Sequence, residues 1–123
     1  MARRTTRALG AAAEELACRY LVDQGLRPIE RNFRCRLGEI DLVLLDSRCL
    51  VFAEVRYRHS DRFVAAGLTV DYHKQKKLIR TAALYLARRP RFANHTVRFD
   101  VVAIEGKNVN WIRDAFRPAD ASL

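Results

Sequence analysis

Cysteine is scarce in this sequence of 123 residues, which holds only Cys18, Cys35 and Cys49. Their number is odd, no two of them form a CxxC pair, and no histidine stands at zinc-finger spacing from them. The sequence therefore argues against a disulfide framework and against a zinc finger. Free thiols are typical of reducing compartments, so we expect a cytoplasmic protein.

The sequence also lacks a long apolar run. No segment approaches the roughly 18–20 apolar residues that span a bilayer. The apolar part of the amino terminus is soon broken by Glu14 and Glu15, unlike the core of a signal peptide. Internal repeats, low-complexity segments and interdomain linkers are absent as well. These absences predict one domain over residues 1–123, with loose ends at residues 1–5 and 118–123 and with no membrane partner.

Acidic residues are in deficit. The chain has 14 Asp and Glu against 23 Lys and Arg, a formal net charge of +9, and the basic residues recur along its whole length. A folded domain this basic most often binds a polyanion, so nucleic acid is the partner we expect. The alternative is a soluble cationic protein whose charge serves no particular ligand.

Apolar periodicity predicts the order of the helices and strands. Helical spacing covers residues 7–24 and 71–89, and Gly25 and Pro90 stand where these helices should end. The predicted strands lie at residues 27–34, 38–45, 50–57, 97–104 and 109–112. The second and third of them form a hairpin. The resulting order, αβββαβ with an extra strand at the end, predicts an α/β fold.

Two acids interrupt apolar strands of the predicted hairpin, Asp41 in IDLVLL and Glu54 in LVFAEV. A hairpin that turns near residues 46–49 places these acids close to opposite one another. Glu39 shares a face with Asp41, because alternate side chains of a strand point the same way. Adjacent carboxylates repel one another unless a cation lies between them. The pattern therefore raises the question of what stabilises these acids.

A hard divalent ion would resolve the conflict. Mg²⁺ prefers oxygen ligands, usually takes one or two protein carboxylates, and fills its other positions with water and substrate phosphate. On a basic protein this combination points to phosphodiester chemistry. The alternative is that both acids lie at an exposed rim of the sheet and form ion pairs with Arg36, Arg56 or Arg58.

The two predicted helices add further charged residues. Glu14 falls at the border of the apolar face of the first helix, so it either faces the sheet or is a surface acid with a long aliphatic stem. Lys74, Gln75 and Lys77 lie near the start of the second helix, where a phosphate could be contacted. The alternative for this helix is a solvated basic face.

Five segments, in this order, resemble the YraN-type family of small bacterial proteins. They are AEELA at residues 13–17, GEIDLV at 38–43, VFAEVRYR at 51–58, KQ at 74–75 and RFDVV at 98–102. That family is similar to Holliday junction resolvases, within the PD-(D/E)XK nuclease superfamily. The resemblance covers nearly the whole chain and implies a restriction-endonuclease-like αβββαβ core, in which helices flank a mixed central sheet.

The resemblance also implies roles for several residues. Asp41 and Glu54 would bind Mg²⁺ or Mn²⁺ with the backbone carbonyl of Val55, and Glu14 would be the acid that the first helix brings to the catalytic site. Together with the residues singled out above, the candidate site has these members: the catalytic residues Glu14, Asp41, Glu54 and Arg56, the auxiliary acid Glu39, and the nucleic-acid contacts Arg58, Lys74, Gln75 and Lys77.

Arg56 departs from the family pattern, which has lysine at this position. A guanidinium cannot serve as a general base, although it can stabilise negative charge in a transition state. The first hypothesis is a metal-dependent endonuclease acting on DNA, with branched or structured DNA as an option. The alternatives are a non-catalytic nucleic-acid-binding or assembly module, and a purely structural interaction protein in which the acids are coincidental. The resemblance also allows a homodimer, although no apolar surface stripe in the sequence identifies a dimer face.

Overall fold

The computed structural model describes residues 6–58 and 70–118, and for Thr6 and Arg58 it describes the backbone alone. In chain order the elements are α1 Thr6–Asp23, β1 Arg27–Cys35, β2 Gly38–Asp46, β3 Cys49–Arg58, α2 Tyr72–Ala87, a 3₁₀ turn Pro90–Phe92, β4 Thr96–Glu105 and β5 Asn108–Phe116. The predicted α/β class, the order αβββαβ and the extra strand are confirmed. Of the predicted loose ends, at residues 1–5 and 118–123, all but Pro118 lie outside the described residues.

The five strands form one mixed sheet in the order β1-β2-β3-β4-β5. Neighbouring strands are antiparallel except β3 and β4, which are parallel in a continuous register from Cys49↔Thr96 to Arg58↔Glu105. A parallel pair needs a crossover connection, and α2 lies within it. The hairpin of β2 and β3 therefore runs through the middle of the sheet.

Each face of the sheet is covered by one helix. Apolar side chains of α1 pack with one face, a set that includes Ala17, Leu21, Leu42, Val51 and Val102. Apolar side chains of α2 pack with the other, a set that includes Ile40, Val43, Phe52, Ile79 and Tyr85. The sheet thus separates two apolar cores, as expected of a layered α/β fold.

Both helices end as the sequence predicts. Gly25 adopts φ 100° after α1, and the Leu26 N–H donates to the Leu21 carbonyl at 3.0 Å, a helix stop that favours glycine. Pro90 follows α2 within three residues. At the start of α2, the Asp71 side chain accepts a hydrogen bond from the Lys74 backbone N–H at 2.8 Å. This cap fixes the first turn of α2 and therefore the position from which the Lys74 side chain projects.

A twist interrupts the pairing of β1 and β2. Asn32 has φ 53°, a left-handed conformation that asparagine tolerates better than most residues. Asp41 lies opposite it, between the pairs Arg31↔Leu42 and Phe33↔Ile40. Because of this twist, Ile40 packs in the core beneath α2 while Leu42 packs in the core beneath α1. Asp41 is therefore at the point where β2 changes its orientation.

The last strand, β5, is longer than the predicted 109–112. Its pairing with β4 is irregular between Phe99 and Val101, and a buried acid at that point, Asp100, bonds to residues of β5 so that the strand continues. Asp100, 1% exposed, accepts hydrogen bonds from the Arg98 guanidinium, the Trp111 indole and the Asp114 backbone N–H at 2.9–3.0 Å. The Arg98 guanidinium also donates to Asp46 at 3.0 Å. The Asp100 side chain thereby takes the place of a backbone acceptor in β4 for the N–H of Asp114, whose left-handed φ of 52° marks the irregularity in β5.

No helix within residues 6–58 and 70–118 is long and apolar enough to cross a bilayer.

Candidate metal centre and basic depressions

The hairpin strands separate at the two acids that the sequence singles out. The pairing of β2 and β3 ends at Leu42↔Ala53, so the next pair in the same register would be Asp41 and Glu54. Instead, Asp41 Oδ2 accepts a hydrogen bond from the Val55 backbone N–H at 2.8 Å, and the Asp41 and Glu54 side chains are hydrogen-bonded to each other. The side chain of Asp41 thus takes the place of a backbone partner where the strands part.

Three carboxylates from two elements converge on this point. Glu14 of α1 and Glu39 and Asp41 of β2 each offer an oxygen within 4.8 Å of the others, and all three side chains are partly buried. Asn32 forms a side-chain hydrogen bond with Glu14. Of the three acids, Glu39 is the one that sequence reasoning assigns only an auxiliary place. Asn32 is missed altogether, since its positive φ leaves no signal in the apolar pattern.

The acids fit a divalent cation by type and by spacing. Carboxylate oxygens are the preferred ligands of Mg²⁺, which holds them at about 2.0–2.1 Å and so spans at most about 4.2 Å between opposite oxygens. A separation of up to 4.8 Å therefore needs a small closure for Mg²⁺ and is within the reach of a somewhat larger ion. We call Glu14, Glu39 and Asp41 the acid cluster.

Burial and mutual repulsion perturb the cluster. Burial and the charge of Glu54 together raise the pKa of Asp41 to about 8, although the hydrogen bond from the Val55 N–H lowers it. The pKa of Glu14 is also raised, first by burial, while the hydrogen bond from Asn32 lowers it and the charge of Glu39 raises it. Near neutral pH Asp41 holds a proton that a cation would displace, because a metal ligand must be ionised.

Glu54 is placed differently from the acid cluster. Its side chain is 10% exposed and its Oε2 lies 3.3 Å from Nζ of Lys74. Within the described residues neither Glu54 nor Asp41 forms an ion pair with Arg36 or Arg56. These ion pairs therefore give no support to the alternative that both acids lie at an exposed rim of the sheet and pair with nearby arginines. Glu54 instead connects the hairpin to the start of α2.

The remaining candidates of β3 and α2 occupy distinct positions. Arg56 is half-buried and lines a depression of about 320 Å³ together with Glu54 and Lys74. Gln75 donates from Nε2 to the Val70 carbonyl at 2.7 Å, so its amide is engaged with the backbone before α2. The side chain of Arg58 lies outside the described part of the chain.

A second depression of about 360 Å³ lies beside the first, since Lys74 lines both. Its other lining residues include Arg34, Glu39 and Lys77. Arg34, which sequence reasoning did not select, forms an ion pair with Glu39 at 3.3 Å. Three cations thus share this depression with Glu39, the member of the acid cluster that lines it, and a phosphate chain could lie there.

Gly38 allows this second depression to form. It adopts φ 155°, and a Cβ atom placed on it would lie 2.9 Å from the Thr81 hydroxyl and 3.7 Å from Cε of Lys77. The start of β2 can therefore approach α2 closely only without a side chain at this position. Glu39 follows directly, so this approach also sets its position.

Comparison with known proteins gives a family match and several close relatives. Residues 13–104 match the model of the family described as uncharacterised protein family UPF0102. A UPF0102 protein of Stutzerimonas stutzeri is 51% identical over 111 residues, covering 87% of this chain and 92% of that protein. A UPF0102 protein of Nitrosococcus oceani is 49% identical, with coverage of 92% and 94%.

Two solved structures are more distantly similar. A repair endonuclease from Pyrococcus abyssi is 19% identical with a TM-score of 0.46, covering 85% of this chain and 40% of that one, so this chain spans less than half its length. The SfsA protein of Pyrococcus furiosus, solved in complex with Ca²⁺, is 16% identical with a TM-score of 0.32, covering 89% of this chain and 63% of that one.

Proposed function

We propose that this chain, which belongs to the family described as uncharacterised protein family UPF0102, is a metal-dependent nuclease that hydrolyses phosphodiester bonds in DNA. The observation that carries the proposal is the convergence of Glu14, Glu39 and Asp41 beside a depression bordered by cations. Anionic ligands for a cation and cationic contacts for a phosphate chain are the two parts that phosphodiester cleavage requires. Branched or otherwise structured DNA is the substrate that the resemblance to resolvases suggests.

The acids of the hairpin and of α1 would hold Mg²⁺ or Mn²⁺. The acid cluster supplies three oxygens, and Glu54 and the carbonyl of Val55 are further candidates at the point where β2 and β3 separate. When bound, such an ion polarises the phosphate and lowers the pKa of a water molecule. Asn32 orients Glu14 through their hydrogen bond.

The cations around the cluster would bind and orient the phosphate chain. Lys74, 3.3 Å from Glu54, lies between both depressions and is the cation best placed for the phosphate under attack. Arg34 and Lys77 would contact neighbouring phosphates. Arg56 would stabilise negative charge as a donor of hydrogen bonds, because its guanidinium stays protonated and cannot accept a proton from water.

Arg56 also supports a second candidate function. If efficient cleavage needs lysine at this position, the chain retains the acids and the basic depressions without turnover. It would then be a non-catalytic nucleic-acid-binding or assembly module.

The experiment is metal-dependent cleavage of supercoiled, single-stranded and branched DNA, with Mn²⁺, with Mg²⁺ and with a chelator. Glu14→Gln should abolish cleavage, because it replaces one carboxylate of the acid cluster by a neutral amide. Glu15→Gln is the matched control, since Glu15 is the next residue, is exposed, and pairs with Arg31 instead. If wild type binds all three DNAs but cleaves none, the chain is the non-catalytic binding module. If Glu14→Gln and Glu15→Gln lose cleavage equally, the acid cluster is not the catalytic site.

A further inference from the structure

A further basic depression, distinct from the two at the candidate metal centre, lies away from the acid cluster. It has a volume of about 400 Å³ and is lined by Arg27, Ile29, Leu45, Arg91, Phe92 and His95. A smaller depression of about 270 Å³ adjoins it through His95 and adds Arg48 and Asn94. We call these eight residues the turn-end cleft, because Leu45 and Arg48 border the turn between β2 and β3.

The turn-end cleft is separate from the candidate metal centre. The helix α2 has 16 residues and is therefore about 24 Å long. It starts near the contact of Lys74 with Glu54, and it ends just before the 3₁₀ turn that carries Phe92 into the cleft. The two sites therefore lie near opposite ends of this helix.

The cations of the cleft have no acidic partner among residues 6–58 and 70–118. None of the eight lining residues is acidic. Among the described residues, Arg27, Arg48 and Arg91 form no ion pair, whereas Lys74 and Arg34 at the metal centre are each paired with an acid. The acids nearest in sequence are already engaged: Glu30 binds Arg89 at 3.0 Å, and Asp46 binds Arg98 and Arg113 at 3.0 Å. This arrangement leaves three unpaired guanidinium groups around one concave surface, which favours an anionic ligand.

The floor and wall of the cleft suit a nucleobase. Ile29, Leu45 and Phe92 provide an apolar floor. The Arg91 guanidinium lies 4.7 Å from the centre of the Phe92 ring, and the His95 ring meets Phe92 edge-on at 5.3 Å. Arg91 is exposed and His95 is half-buried, so a ligand in the cleft can reach both planar groups. Guanidinium planes and imidazole rings are among the groups on which unpaired bases stack.

We propose that the turn-end cleft binds an unpaired nucleotide of the nucleic acid that the metal centre acts on. The base stacks on Arg91 and His95, and Arg27 and Arg48 contact the adjoining phosphates. The cleft thus selects nucleic acid with a single-stranded segment over a continuous duplex. This inference rests on the proposed function for the nature of the ligand, but not on catalysis.

The test is the binding of a fluorescent DNA duplex that carries a short single-stranded thymidine overhang, compared with the same duplex with blunt ends. Both are titrated in the presence of a chelator, so that no cleavage occurs. Arg91→Lys keeps the charge but removes the plane. We expect it to weaken binding of the overhang duplex about tenfold, as the loss of one stacked base does, and to leave the blunt duplex unchanged. His95→Ala should act in the same way.

Arg88→Lys is the matched control, because Arg88 is exposed, stands three residues before Arg91 and does not line the cleft. Equal binding of the overhang duplex by wild type, Arg88→Lys and Arg91→Lys would overturn the proposal. So would a loss by Arg91→Lys that is equal for both duplexes, since it would indicate a phosphate contact alone.

Cleavage assays separate this inference from the proposed function. If Arg91→Lys weakens overhang binding and wild type cleaves no DNA with any metal, the cleft stands and the nuclease proposal falls. If wild type cleaves with metal and Arg91→Lys binds normally, the cleft falls alone. If wild type binds neither duplex, both proposals are refuted, because each of them requires DNA binding.

Discussion

Replacement of Asp41 by asparagine should stabilise the metal-free protein, and more so as the pH rises. The amide oxygen of asparagine can still accept the hydrogen bond that the Val55 N–H donates at 2.8 Å. The substitution therefore removes the charge while it retains the contact that joins the separated strands. Wild type, by contrast, must ionise a carboxyl group that is largely buried and hydrogen-bonded to Glu54.

The magnitude follows from the pKa of Asp41, which is raised from 3.8 to about 8 in the folded chain. Between these values the folded state retains a proton that the unfolded state has released, so the free energy of unfolding falls as the pH rises. The penalty is absent below the lower value and complete above the upper one. Each pH unit in this window contributes about 1.4 kcal/mol, which gives a loss of about 4 kcal/mol between about pH 5 and about pH 9.

Urea unfolding of wild type and Asp41→Asn across this pH range, with a chelator present, measures the difference. Glu15→Gln, an exposed acid of α1, serves as the control for a general loss of negative charge. Saturating Mn²⁺ should restore the stability of wild type at high pH and have little effect on Asp41→Asn. Parallel curves for wild type and Asp41→Asn, or an equal response of both to Mn²⁺, would refute the reasoning.

Other substitutions probe the centre and its support. Arg56→Lys should raise metal-dependent cleavage about tenfold, or about 1.4 kcal/mol of transition-state stabilisation, with unchanged DNA affinity; a fall in rate would assign the guanidinium itself to the site. Asp100→Ala should lower the free energy of unfolding by about 3–5 kcal/mol, because it removes the shared acceptor of the Arg98 guanidinium, the Trp111 indole and the Asp114 backbone N–H, and a loss below about 1 kcal/mol would contradict this role. Gly38→Ala should destabilise the fold by about 1–3 kcal/mol, because the added Cβ would crowd the Thr81 hydroxyl, and it should weaken the rise in melting temperature given by Mn²⁺. An unchanged rise would show that the position of Glu39 does not depend on the close approach of β2 to α2. Lys77→Ala should reduce the salt dependence of DNA binding by about one unit, and an unchanged slope would return Lys77 to a solvated face.

The order of elements was predictable because each element carries its own periodicity. Apolar spacing predicts the first helix at residues 7–24, and the structure has it at Thr6–Asp23; the hairpin strands agree within one residue at every end. Gly25 and Pro90 end their helices through properties of the residue itself, namely freedom of φ and the lack of an N–H. Such local signals need no knowledge of the rest of the chain.

The arrangement of the acids was less predictable, because it depends on a twist between strands. Simple alternation pairs Asp41 with Glu54 across the hairpin. The positive φ of Asn32 and the change of orientation at Asp41 bring Glu39 and Glu14 together with Asp41, while Glu54 contacts Lys74. No local pattern in the sequence encodes such a twist, since asparagine adopts both hands of the backbone.

Asp100 illustrates a second limit. In the sequence it is one acid within an apolar strand, as Asp41 is, and composition does not distinguish them. In the fold Asp100 receives hydrogen bonds from a guanidinium, an indole and a backbone N–H. Asp41 is surrounded by other acids. Only the partners, which come from distant parts of the chain, separate a structural carboxylate from a candidate ligand.

The two outer strands, β1 and β5, are each interrupted along their length. β1 has Pro28 near its start, an irregular register between Pro28 and Glu30, and the left-handed Asn32. β5 has the left-handed Asp114 beside Arg113. Irregular, charged outer strands are poor templates for a further strand, so these features protect the sheet against edge-to-edge aggregation. For the same reason, a homodimer of this chain would have to associate through its helices or loops and not by continuing the sheet from one copy into the next.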